Sequence, residues 1–156
     1  MGVLERLRAR AGGARARFGR EVRAAYLDAR RLATQLRDHG GNVPYPALGH
    51  ELRRLGEEAD RHAAALATEL RAIAGNVDPA DPIAPRVGRN HWERLTIDLA
   101  DLEALQRRYT ELALRFDVDF PASIPTFDAL ARAAAVMIRD VRTMLIRSDP
   151  HAAQSS

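Results

Sequence analysis

His62 is the residue in this sequence best placed to do chemistry. It falls on the apolar seam of an amphipathic segment (Leu48, Leu52, Leu55, Ala59, His62, Leu66, Leu70, Ile73), and Glu58 stands one helical turn before it. A histidine held by a carboxylate can act as a general base or a metal ligand. The same position also suits a buried imidazole bonded to Tyr26, Tyr109 or Glu58, because polar groups inside a protein need such partners. This second reading is the one expected here. His39, His50, His91 and His151 sit at helix ends, on a polar face or in the tail, and their spacing repeats no metal motif. No role is expected for them. Asp98 and Asp101 share one helix face and suit an acid pair, and a solvated face accounts for them equally well. The sequence has no cysteine, which removes disulfides, thiolate metal sites and cysteine nucleophiles. It has neither a phosphate-cradling glycine loop nor a Gly-x-Ser-x-Gly elbow.

Arginine is the other residue type that could carry function. All 24 basic residues are arginine, whose planar fork binds carboxylates and phosphates bidentately; GC-rich coding is the plainer source of this usage. The charge is unevenly placed. Residues 1–37 hold ten arginines against Glu5, Glu21 and Asp28, a net of +7, while the remainder holds fourteen against eighteen acids, a net of −4. Arg6, Arg8, Arg10, Arg15 and Arg17 flank the apolar stripe at the start of the chain. A basic amphipathic element of this kind can dock on a partner protein, an acidic lipid surface or a nucleic-acid backbone. An ordinary solvated helix end is the alternative.

Four amphipathic helices must position these groups. The first reads over residues 2–38, with Leu4, Leu7, Ala11, Ala14, Phe18, Val22, Ala25, Ala29, Leu32 and Leu36 stepping by three or four. Gly12-Gly13 should break or kink it, since each glycine costs about 1 kcal/mol in a helix interior. Asp38 to Asn42 should end it, with Gly40 and Gly41 able to take positive φ. Pro46 suits the first turn of the second helix, which Gly75-Asn76 closes. Pro79, Pro82 and Pro85 mark the longest connection. Asn90 with Glu93 makes a capping box for the third helix, whose stripe is Trp92, Leu95, Leu99, Leu102, Leu105, Tyr109, Leu112 and Phe116. Asp117 to Pro125 reads as a turn. The fourth helix follows, with Phe127, Leu130, Ala134, Met137, Val141, Met144 and Leu145 inward. The expected organisation is an Arg-rich arm over residues 1–13, an all-α four-helix bundle over 14–147 and a disordered tail over 148–156. Short first and third connections make antiparallel pairs. The long middle one allows two hairpins joined by a crossover, and an up-down-up-down bundle stays open.

Two helical hairpins joined by a long crossover, with the run from Leu55 to Leu66, resemble the ferritin-like superfamily and the second helix of its rubrerythrin-type members. That resemblance implies a di-iron centre held by Glu-x-x-His pairs and further carboxylates on facing helices. His62 matches the histidine of the second helix. The glutamate position before it is Ala59, and the matching pair of the fourth helix is Ala134 and Met137. Neither Ala134 nor Met137 can ligate a hard ion in the usual way, and Ala59 supplies no carboxylate, so no cofactor is expected, and His62 with Glu58 are the candidates left for metal.

An apolar fraction of 46% with 29% charged residues fits a folded domain. No apolar run approaches the roughly 20 residues that span a bilayer, and the N-terminus lacks a secretory h-region, so a cytoplasmic location is expected. The sequence thus reads as a helical bundle, more a non-catalytic protein than an enzyme, that acts through a protein partner or as a homo-oligomer. A metal-binding or oxidase role with an atypical site stays open, as does binding of nucleic acid or another anionic polymer through the first helix.

Overall fold

The computed structural model describes residues 2–75 and 84–149. The described residues form four helices, α1 (Val3–Gly41), α2 (Pro46–Ala74), α3 (His91–Arg115) and α4 (Ile124–Arg147), with a 3-10 turn at Pro121–Ser123 before α4. No strand occurs among the described residues. Residues 76–83 of the long connection, with Pro79 and Pro82, and residues 150–156 of the expected tail lie outside the described residues.

Side-chain pairs fix the helix directions. Along α1 and α3, His39 meets Asp98, Asp28 meets Arg108 and Glu21 meets Arg115, so the two helices run antiparallel. Arg54 with Asp140 and Glu69 with Thr126 make α2 and α4 antiparallel as well. Arg15 meets the carbonyl of Ile73 and Arg37 meets Asp60, so α1 and α2 form an antiparallel hairpin. α2 and α3 therefore point the same way. Gly75 lies at the Arg15 end of the bundle, whereas Arg86 bonds Gln35 at the other end.

The apolar stripes close into one core. Phe18, Val22, Leu36, Leu52, Leu66, Leu95, Leu102, Tyr109, Phe127, Ala134 and Val141 are fully enclosed. At the Arg15 end an aromatic cluster seals it. Phe120 stacks on Phe18 at 4.1 Å between ring centroids, and Phe116 meets Phe18 edge-on at 5.0 Å. The segment read as a turn thus supplies Phe120, a half-buried ring packed against the core. Trp92 departs from its expected inward place and is 46% exposed. It precedes Asp98, the partner of His39, by six residues, about 9 Å of helix. α1 ends two residues after His39, so Trp92 stands beyond the end of the helix that would have covered it.

The glycines behave differently from expectation. α1 runs unbroken through Gly12-Gly13. Strong helix formers flank the pair, and extending a docked helix avoids the cost of a new nucleus. Gly40 and Gly41 do not take positive φ; among the described residues Gly75 alone does, at 79°. Gly40 instead permits contact. A Cβ on Gly49 would stand 2.6 Å from the Gly40 carbonyl oxygen, and one on Gly40 would stand 2.9 Å from the Gly49 oxygen. Gly56 repeats the device one step along, against Arg37 and the Ala33 carbonyl. At the start of α3 the Asn90 side chain accepts the Glu93 N–H at 2.8 Å, and Glu93 reaches back to the N–H of Arg89.

Two alanine substitutions should therefore have opposite signs. Gly49→Ala must push two backbones apart and should cost about 1–3 kcal/mol. Gly19→Ala, whose Cβ meets nothing within 4 Å, should gain about 0.5–1 kcal/mol from helix propensity. Denaturant titration of both variants checks the pair; a neutral Gly49→Ala would contradict the close contact.

Candidate functional site

Two buried polar clusters and one exposed basic end hold the residues that could carry function. The first cluster centres on His62, 2% exposed in the seam of α2. The Tyr109 hydroxyl lies 3.3 Å from its Nδ1, and the rings meet edge-on. Burial, with Asp28 adding to it, pushes the Tyr109 phenol far above its ordinary value, so it stays protonated and donates to Nδ1. Nε2 then carries the imidazole hydrogen. It is buried without a hydrogen-bond partner; Glu58 Oε1 is 3.7 Å away, beyond bonding distance. The other Glu58 oxygen is taken by Arg61. Burial lowers the His62 pKa below 6.5 against the opposing pull of Glu58, and Arg61 lowers it further.

This is a neutral core imidazole. A general base must reach its substrate, but the recess of about 270 Å³ beside it is lined by Arg54, Leu55, Glu58, Val136, Met137 and Asp140 and does not include His62. The positions where the ferritin-like pattern has ligands hold Ala59, Ala134 and Met137, all buried. Among the described residues no group of three or more histidines and acids is arranged to hold a metal ion.

The second cluster was missed by the sequence reading. His39, Gln35 and Asp98 are all enclosed. His39 Nδ1 donates to Asp98 Oδ2 at 2.8 Å, and Nε2 donates to the Arg86 carbonyl at 3.1 Å. A carboxylate and a carbonyl only accept, so both bonds form together only in the imidazolium. Burial pulls the His39 pKa down. The hydrogen bond and charge of Asp98, the Arg86 carbonyl and Asp38 outweigh it and leave the pKa above 6.5. Gln35 completes the set. Its amide nitrogen donates to Asp98 at 2.8 Å and Asp101 at 3.0 Å, and its oxygen accepts the Arg86 N–H at 2.9 Å. Arg86 Nη1 closes the circuit on Asp101 at 2.6 Å. Asp98, read as equally at home on a solvated face, is fully buried, and His39 is no helix-end bystander. The signal was present. His39 continues the stripe Leu32, Leu36 by one step, and Asp98 sits between Leu95 and Leu102 on theirs. With every donor and acceptor engaged internally, the cluster clamps α1, α3 and the segment entering α3.

The basic end holds Arg6, Arg8, Arg10, Arg15 and Arg17, all exposed. Arg15 Nη2 bonds the Ile73 carbonyl at 2.5 Å, at the C-terminal end of α2. Residues 2–13 are exposed throughout, and Ala14 is the first buried position of α1.

The two histidines pull stability in opposite directions with pH. The His39 contribution, from a raised folded pKa, is complete below about 6.5 and is lost as pH rises through the folded value. The His62 contribution, from a lowered folded pKa, is complete above about 6.5 and is lost as pH falls toward the folded value. Unfolding free energy from denaturant titrations should therefore fall off on both sides of about pH 6.5. His39→Gln should flatten the alkaline limb and His62→Gln the near-neutral acid limb. An alkaline limb unchanged in His39→Gln would refute the imidazolium assignment.

No family model matches the chain, and neither a curated protein nor a solved structure matches it.

Proposed function

We propose that this chain is a non-catalytic, cytoplasmic helical-bundle protein of ferritin-like layout without the metal centre, and that it works by association through its N-terminal end. The observation that carries the reading is the fate of the α1 stripe. Phe18 and Val22 are wholly buried, while Leu4 and Leu7 continue the same face at 72% and 55% exposure. A helix that keeps its apolar face after its own core has ended has a face to offer another surface. The flanking arginines add an attraction for acidic groups. The parallel course of α2 and α3 supports the ferritin-like layout. The internal engagement of the His39 cluster, and the burial of His62 outside the recess beside it, favour a structural role for both over catalysis.

A chain starting at Ala14, compared with the full chain, tests the reading. It should melt at the same temperature, because the residues removed are exposed, and should sediment as a smaller species whose full-length counterpart is weakened by salt. A lower melting temperature with unchanged mass would make residues 1–13 simply part of the bundle. Two metal ions per chain, lost in His62→Ala, would favour the metal-binding alternative instead.

A further inference from the structure

We infer that the surface that receives the N-terminal overhang is the same end of a second copy of this chain, around Asp117 and Asp119, in a two-fold pair. The inference rests on the association reading above and adds to it the identity of the partner and the seat.

Exposed apolar side chains gather at both ends of the bundle, Tyr45, Val87, Trp92 and Ile146 at one, and the end from which α1 projects adds an overhanging helix to them. Ten large apolar side chains are exposed among the described residues, and five of them belong to this end: Val3, Leu4 and Leu7 on the overhang, Leu114 in the last turn of α3 and Val118 in the turn after it. The overhang rises about 16 Å above Ala14, eleven residues at about 1.5 Å each. At its foot is a recess of about 410 Å³, lined by Ala11, Gly12, Ala14, Arg15, Asp119 and Phe120. The end therefore has the shape of a step, with the apolar edge of α1 as its wall and the α3–α4 turn as its floor.

Both signs of charge lie on this step. Arg6, Arg8 and Arg10 against Glu5 give residues 2–13 a net +2, and Asp117 with Asp119 give the turn −2. Both aspartates are exposed. α2 and α3 end here and α4 begins here, so partial charges of both signs from helix termini meet at the floor, and the two aspartates set its sign. Arg15 already makes this type of contact within one chain, on the Ile73 carbonyl. A nucleic acid or an anionic lipid surface would be drawn by the arginines and repelled by Asp117 and Asp119 beside them. A second copy uses both, because a two-fold axis sets the wall of each step over the floor of the other. The two charges then balance, and Leu4 and Leu7 cover the apolar side chains of the opposite turn.

The test uses full-length chains and sedimentation equilibrium. Arg8→Asp with Arg10→Asp, and separately Asp117→Arg with Asp119→Arg, should each weaken dimerisation about tenfold or more, about 1.4 kcal/mol, with helical content unchanged and the melting temperature lowered only by the lost association. Mixing the two variants should restore the dimer, since each reversed arm then meets a reversed turn. Asp117→Asn with Asp119→Asn, which removes charge without adding bulk, should also weaken it and serves if the arginine pair melts early. A turn variant that assembles like the wild type, or a mixture that stays monomeric, overturns the inference while leaving association through the arm standing. Assembly that survives removal of residues 1–13 overturns the association reading itself. A full chain that is monomeric at every concentration, yet binds phosphatidylserine vesicles or single-stranded RNA through Arg8 and Arg10, assigns the arm to an anionic surface and overturns the inference as well.

Discussion

The backbones of α1 and α2 meet where Gly40 faces Gly49, so near that a Cβ on either would press on the other's carbonyl oxygen. Two helices can come this near only where neither carries a side chain, and the glycines make that possible at one crossing. Ala33 beneath Gly56 and the buried alanines Ala29, Ala59 and Ala63 continue the seam with small groups. Larger side chains are displaced toward α3 and α4, where leucine, phenylalanine and methionine fill the interior. By contrast α2 and α4 touch sparingly and are tied by polar links from Arg54 and Glu69. α1 is thus anchored over its C-terminal half, which lets the same helix extend past the core at its other end.

A second constraint comes from charge in the interior. Burying Asp98 and His39 together is tolerable because each satisfies the other and Gln35 takes up what remains. Such a network contributes less through the strength of its bonds than through the penalty for breaking them one at a time. It also sets register. His39 on α1, Asp98 on α3 and the Arg86 backbone meet at one place, so α3 cannot slide along α1 without orphaning a buried group. The surface pairs farther along, Asp28 with Arg108 and Glu21 with Arg115, agree with that register but, being exposed, contribute little to it.

Periodicity made the four helices readable, because burial on one face imposes a three-or-four step that composition cannot hide. Asn90, Pro46 and Gly75 marked boundaries by capping chemistry that is local. What periodicity could not supply was which polar residues ride on an apolar stripe by design. His39 and Asp98 both occupied stripe positions. Residue type argued each onto the surface, and only their meeting across two helices explains their burial. His62 was read as a core imidazole with Tyr109 among its partners, since its neighbours lay on predicted inward faces. Gly40 was misread because glycine signals either conformational freedom or closeness, and a single sequence does not separate the two; Gly12-Gly13 use neither and ride in a helix that continues through them. Phe120 was hidden in a segment too short to have a period.

The basic end has one further property. Its side-chain positive charge comes wholly from guanidinium groups, because the sequence has no lysine. A guanidinium holds its proton at any pH a cell reaches, and methylation leaves its charge in place. Acetyl transfer, which silences lysine-rich tails, has no side-chain amine to act on anywhere in the chain. The electrostatic face that α1 carries past the bundle is therefore permanently on, and what sets its strength is the ionic medium and the acidity of whatever stands opposite.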